Sequence, residues 1–101
     1  FTTAEADMQA RALAEARLES DRMLIATQSA LDADAALLSA PEQAEIAALM
    51  QALRDTTASS VDAKTIELAT EALAKGTEAF AAERMNHSIA QALSGKRLDS
   101  L

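Results

Sequence analysis

His87 is the chain's one histidine, and Glu83 stands four residues before it, a spacing at which a carboxylate and an imidazole can share a divalent metal. A metal site needs further ligands. The sequence supplies no second histidine, no cysteine and no matching Glu-x-x-His, so His87 reads as a surface or capping residue. Asp32 and Asp34 resemble the opening of a calcium loop, yet no glycine follows at the required place and the twelfth position is Gln43 rather than glutamate. Ser94, Gly95 and Lys96 lack the upstream glycine and the strand of a phosphate-binding loop, and read as a helix stop. Met8, Met23, Met50 and Met85 could form an adaptable peptide-binding surface; their helical spacing points to the core instead, with Met8 excepted. No residue receives a catalytic, cofactor-binding or metal-ligating assignment, and the segment is expected to be non-catalytic.

The composition narrows the partners. A formal net charge of −7 disfavours a nucleic-acid backbone or an anionic membrane, both of which attract basic surfaces. The absence of cysteine suits a reducing compartment and a cytoplasmic location. No run approaches the ~18 apolar residues of a membrane span. The opening FTTAEAD has neither an initiator Met nor a signal-peptide pattern, and is expected to be the interior of a longer protein. About a quarter of the residues are alanine and the only aromatics are Phe1 and Phe80, a composition that favours helices with a thin, close-packed core over sheets.

Those residues must be positioned by helices. Thr2 and Glu5 form a capping box that starts a helix near Thr3, and no Gly or Pro interrupts it before Leu38, a rod of roughly 50 Å. Asp7–Arg11 and Arg11–Glu15 are spaced as i,i+4 pairs on its exposed face. Its second half carries Leu24, Leu31 and Leu38 on one seam; its first half, residues 1–22, carries Met8, Leu13 and Leu18 among alanines and charges and is expected to project as an arm. Ser39, Pro41 and Glu42 cap a second helix with the stripe Ile46, Leu49, Met50 and Leu53, ending near Arg54. DTTASS is expected to be a loop, and Ser60 or Asp62 to cap a third helix with the seam Ile66, Ala69, Leu73, Gly76 and Phe80. Gly76 marks a close approach by a neighbour. Met85, Ile89, Ala92 and Leu93 lie on another face, so a kink or a fresh short helix is expected near residues 83–86, ending at Gly95 with a flexible tail over 95–101. The fold is all-α: an antiparallel three-helix bundle over residues 23–94, with a long projecting first helix and a short C-terminal helix.

FTTAEADMQARALAE, ALDADAALLSAPEQAEI and FAAERMNHSIAQALSGK resemble the C-terminal helical lid of HscA-type chaperones, members of the DnaK heat-shock family specialised for iron–sulfur cluster assembly. The resemblance covers essentially the whole chain. It implies a lid that closes over a peptide-binding β-sandwich and slows client release under the control of an ATPase domain, with ATP and Mg in the parent protein and none in this segment. The implied partners are the parent's own β-sandwich and ATPase domain, an iron–sulfur scaffold protein as client and a J-domain co-chaperone. The general DnaK pattern latches the lid through an acid and a histidine one turn apart; residues 33–37 hold Asp34 and no histidine, so no latch is assigned. Met8, Leu13 and Leu18 are the candidate sandwich-facing residues, and the isolated segment is expected to form a homodimer through the arm. The alternative is a free-standing helical adaptor that presents the arm to a partner protein.

Overall fold

The computed structural model describes residues 3–99, with side chains placed through residue 94, so Thr2 of the expected capping box lies outside the described residues. Four helices follow one another: α1 (Thr3–Asp34), α2 (Ala40–Ser59), α3 (Ala63–Gly76) and α4 (Glu78–Asp99), with a 3-10 turn at Ala35–Leu37 between α1 and α2. The described residues are all-α, and α1, α2 and α3 form the up-down-up bundle.

Local chemistry sets each boundary. The Ser39 hydroxyl accepts a hydrogen bond from the Glu42 N–H (3.3 Å), and the Glu42 carboxylate accepts from the Ser39 N–H (2.9 Å); with Pro41 in the first turn, this starts α2 where the chain reverses. The Gln43 side-chain amide donates to the carbonyls of Ala35 (2.9 Å) and Leu38 (3.3 Å), tying the first turn of α2 to the 3-10 turn before it. α2 does not stop near Arg54. It runs through DTTAS to Ser59, where the hydroxyls of Thr56, Thr57 and Ser59 donate to carbonyls one turn back and are satisfied within the helix rather than ending it. Asp62 caps α3, its carboxylate accepting from the N–H (3.2 Å) and hydroxyl (2.7 Å) of Thr65.

The break after α3 falls at Thr77, not at residues 83–86. At Thr77 the backbone departs from regular helical dihedrals (φ −105°, ψ 0°) and its N–H is shared between the carbonyls of Leu73 (3.1 Å) and Ala74 (3.3 Å), which is where α3 ends and the next helix starts at Glu78. That next helix is not short: α4 passes through Gly95 to Asp99, so Gly95 is not the stop that its type suggested.

Leu38, Ile46, Met50, Leu53, Leu73 and Phe80 form the main core, with Leu24, Leu31 and Leu49 packed against its edge. Leu53, Ile66 and Leu73 are fully buried, each contributing ~1.5–3 kcal/mol of transfer free energy. Gly76 serves as expected: a Cβ there would collide with Leu49 Cδ1 on α2. Ion pairs among the described residues join Arg22 to Glu19 (4.0 Å) and Arg84 to Asp34 (2.7 Å), rather than Arg11 to its acidic neighbours.

The bundle begins earlier along α1 than residue 23. Ala16 and Ser20 are buried, and the Arg17 guanidinium donates to the Ser60 carbonyl (3.4 Å), so the later part of the segment expected to project lies against the bundle, while residues 3–12 are exposed throughout. Small side chains make this seam, which lets α1 and α3 approach closely. The molecule is nonetheless drawn out, with extents of 70 × 29 × 17 Å and a radius of gyration of 18.3 Å, against about 13 Å for a compact chain of this length. α1 accounts for about 48 Å of that length, and the part of α4 beyond Arg84 adds about 22 Å at the other end.

Candidate functional site

α1 has two unlike sides. Ala16, Ser20, Thr27 and Ala30 are buried against the bundle; at 100° per residue, Leu18 and Ile25 project from the opposite side, two turns apart. Leu18 is 51% exposed and Ile25 70%. The side that α2 and α3 do not cover thus holds two large apolar residues on a helix held in place from behind. Asp7, Arg11 and Arg22 flank them with both signs of charge.

Met8, Leu13 and Leu18 do not share this face. Steps of five residues turn the helix by about 140° each time, so the three are spread around α1. Met8 and Leu18 are exposed, while Leu13 is half-buried on the bundle side. Ile25 is the residue that sequence reasoning missed. Its signal was present in the i,i+7 spacing from Leu18, hidden by the assumption that the second half of the helix belonged wholly to the bundle.

A second uncovered face lies on α4. Met85, Ile89 and Leu93 stand at i, i+4, i+8 and are each between 52% and 65% exposed. They form the stripe that their spacing suggested, yet no part of the bundle covers it, so Met85 is not a core methionine; Met50 is, and Met23 is half-buried. What holds α4 lies just before the stripe. Phe80 is in the core, and Arg84 donates to Asp34 with its guanidinium 5.9 Å from the Phe80 ring centre.

The acidic side chains at Asp32, Asp34, Glu42 and Asp62 are engaged in structure. Asp32 accepts a hydrogen bond from the Gln28 side chain (2.8 Å), and Asp34 holds Arg84. Glu42 and Asp62 have carboxyl pKa values below the ordinary range, the first through the Ser39 backbone N–H and hydroxyl, the second chiefly through the Thr65 hydroxyl; both are helix caps. A groove of about 280 Å³ between α1 and α3 has Ala16, Met23 and Ala74 as its floor and Glu19, Glu67 and Glu71 at its rim. Among the described residues no three His, Cys, Asp or Glu side chains gather as a metal site, and no helix is long and apolar enough to cross a membrane.

The distinctive surfaces of this elongated helical segment are its two uncovered apolar faces. The chain is 62% identical over all 101 residues to the Chaperone protein HscA homolog of Delftia acidovorans, and 59% identical, again over its whole length, to the proteins of that name from Acidovorax sp. (strain JS42) and Burkholderia multivorans. It spans 16% of the length of each. No protein-family model matches it. The chain is therefore homologous, along its full length, to the C-terminal region of HscA-type chaperones.

Proposed function

We propose that this segment is the lid of an HscA-type chaperone, closing over a peptide-binding β-sandwich through the outer face of α1. The observation that carries the reading is the pairing of Leu18 and Ile25 on the side of α1 that the bundle leaves bare. Buttressed from behind by α3, α1 can press that face onto another body without bending. The bundle supplies stiffness and bulk at the far end, so the lid moves as one piece. In the parent protein an ATPase domain that uses ATP and Mg would set whether the lid is open or closed, and a closed lid slows departure of the client.

The relatives' shared name supports the chaperone reading; the finer reading, a role in iron–sulfur cluster assembly with a scaffold protein as client, a J-domain protein as co-chaperone and the cytoplasm as the setting, follows the family resemblance of the sequence. The test is removal of the segment from the intact chaperone. A chaperone lacking it should still bind client peptide but release it faster in the nucleotide state that favours closure. Equal release rates with and without the segment would refute the lid role.

A further inference from the structure

We propose that the groove between α1 and α3 is a docking site for a basic amphipathic helix of a partner protein, whose apolar ridge fills the groove while its lysines or arginines meet the glutamates at the rim. This surface is separate from the face proposed to close over the peptide site. At 100° per residue, Ala16 and Met23 are turned about 140–180° away from Leu18 and Ile25, so both sides of α1 can be occupied at once.

The floor of the groove is apolar in effect. Ala16 is buried, Met23 and Ala74 are half-buried, and Thr70 beside them spends its hydroxyl on the Ile66 carbonyl (2.9 Å). A volume of about 280 Å³ lies just below the range of small-molecule pockets, ~300–1,000 Å³, and suits a few side chains of a protein segment. A second hollow of about 140 Å³ adjoins it at Met23 and reaches Ala30 and Phe80. From Ala16 to Ala30 the trough follows α1 for about 21 Å, the length of a helix of about 14 residues, which would anchor through side chains one turn apart.

Charge selects the occupant. Glu19, Glu67 and Glu71 stand at the rim, and no lysine or arginine among the described residues lines the groove. Arg22 lies 4.0 Å from Glu19. Among the described residues no hydrogen bond or ion pair engages Glu67 or Glu71, and neither is paired with Lys64 or Lys75 on the same helix. Two carboxylates one turn apart thus border an apolar trough without a cation. The three rim carboxylates do not converge as a metal site, so cations spaced along a helix match them better than a single ion. A second copy of this chain, with a net charge of −7, is disfavoured by the same rim.

The probe is a synthetic peptide of about 14 residues with leucines spaced i, i+4, i+7 and i+11, lysines at the flanking positions and alanine elsewhere. Labelled methionine methyls give the chain NMR reporters at Met8, Met23, Met50 and Met85. On titration at about 0.1 M salt the Met23 methyl should shift, while those of Met8 and Met85, exposed elsewhere, should not. Glu67→Lys/Glu71→Lys, at exposed positions, should keep the native circular dichroism and weaken the lysine peptide by roughly tenfold or more. The same variant should bind the peptide with glutamates in place of the lysines, which the native chain should not. Shifts at Met8 or Met85 in place of Met23, equal affinity for the two peptides, or unchanged affinity in the reversed variant would overturn the proposal. So would equal binding of a lysine peptide with proline at its centre, which cannot form the helix, or no shift up to about 1 mM peptide. A Met23 shift that follows chain concentration alone would assign the groove to a second copy and overturn it as well.

Discussion

Gly76→Ala tests the packing of the bundle at its tightest point. In an ordinary helix the change stabilises by up to ~1 kcal/mol. Here the added methyl would occupy the place of Leu49 Cδ1, and Leu49 is itself packed against the core. Displacing it costs ~1–3 kcal/mol as overpacking, so the net effect is destabilisation by about 0–2 kcal/mol. Leu49→Ala alone removes half-buried contacts and costs ~1–2 kcal/mol, less than a fully buried leucine. In that background the obstruction is gone and Gly76→Ala should stabilise by up to ~1 kcal/mol, a coupling of ~1–3 kcal/mol between the two sites. Urea unfolding followed by circular dichroism at 222 nm suits a chain without Trp or Tyr. Stabilisation by Gly76→Ala with Leu49 present, or strict additivity of the two changes, would refute the close approach.

Two further outcomes follow from polar groups. Ser20 is fully buried and its hydroxyl has no hydrogen-bond partner, so Ser20→Ala should be neutral or stabilising by up to ~1 kcal/mol; a loss above ~1 kcal/mol in the same unfolding assay would show that the hydroxyl is satisfied. Glu42 and Asp62 have folded-state pKa values below their ordinary ones, so the stability they contribute is complete above the unfolded carboxyl range, ~3.9–4.3, and is lost as the pH falls through the folded values. Glu42→Gln/Asp62→Asn should therefore be less stable than the native chain near neutrality and lose less on acidification; an unchanged pH profile of the unfolding midpoint would contradict this.

The parts of the fold legible in the sequence are those written in strong local signals. Ser39, Pro41 and Glu42 marked the start of α2, Asp62 was one of two candidates to cap α3, and Gly76 announced a contact that only Leu49 could specify. Where the reading failed, a weaker signal was overridden by its surroundings. DTTAS looked like a loop because Thr and Ser compete with helix, yet their hydroxyls bond back to the preceding turn and α2 continues through them. At Thr77 the helix is interrupted by a local change of backbone dihedrals (φ −105°, ψ 0°), in a place with no Pro and no left-handed glycine. Ala16 and Ser20 gave no hydrophobic signal, so the depth to which α1 enters the bundle was invisible. Spacing found the stripe on α4, but spacing cannot tell a face that meets a core from one left bare. The candidate face of α1 was half legible: Leu18 was named, and Ile25 was hidden by its place among bundle residues.

The most direct measurement is the rate at which a bound client peptide leaves the intact chaperone carrying Leu18→Ser/Ile25→Ser, in the nucleotide state that favours closure. If α1 closes over the peptide site through this face, the remaining uncovered area of the two side chains contributes ~1 kcal/mol each when buried. Release should then quicken by about tenfold or more, while Met85→Ser/Ile89→Ser on α4 leaves it unchanged. An unaltered release rate in the α1 variant would contradict the assignment of that face, and with it the account of how the segment works.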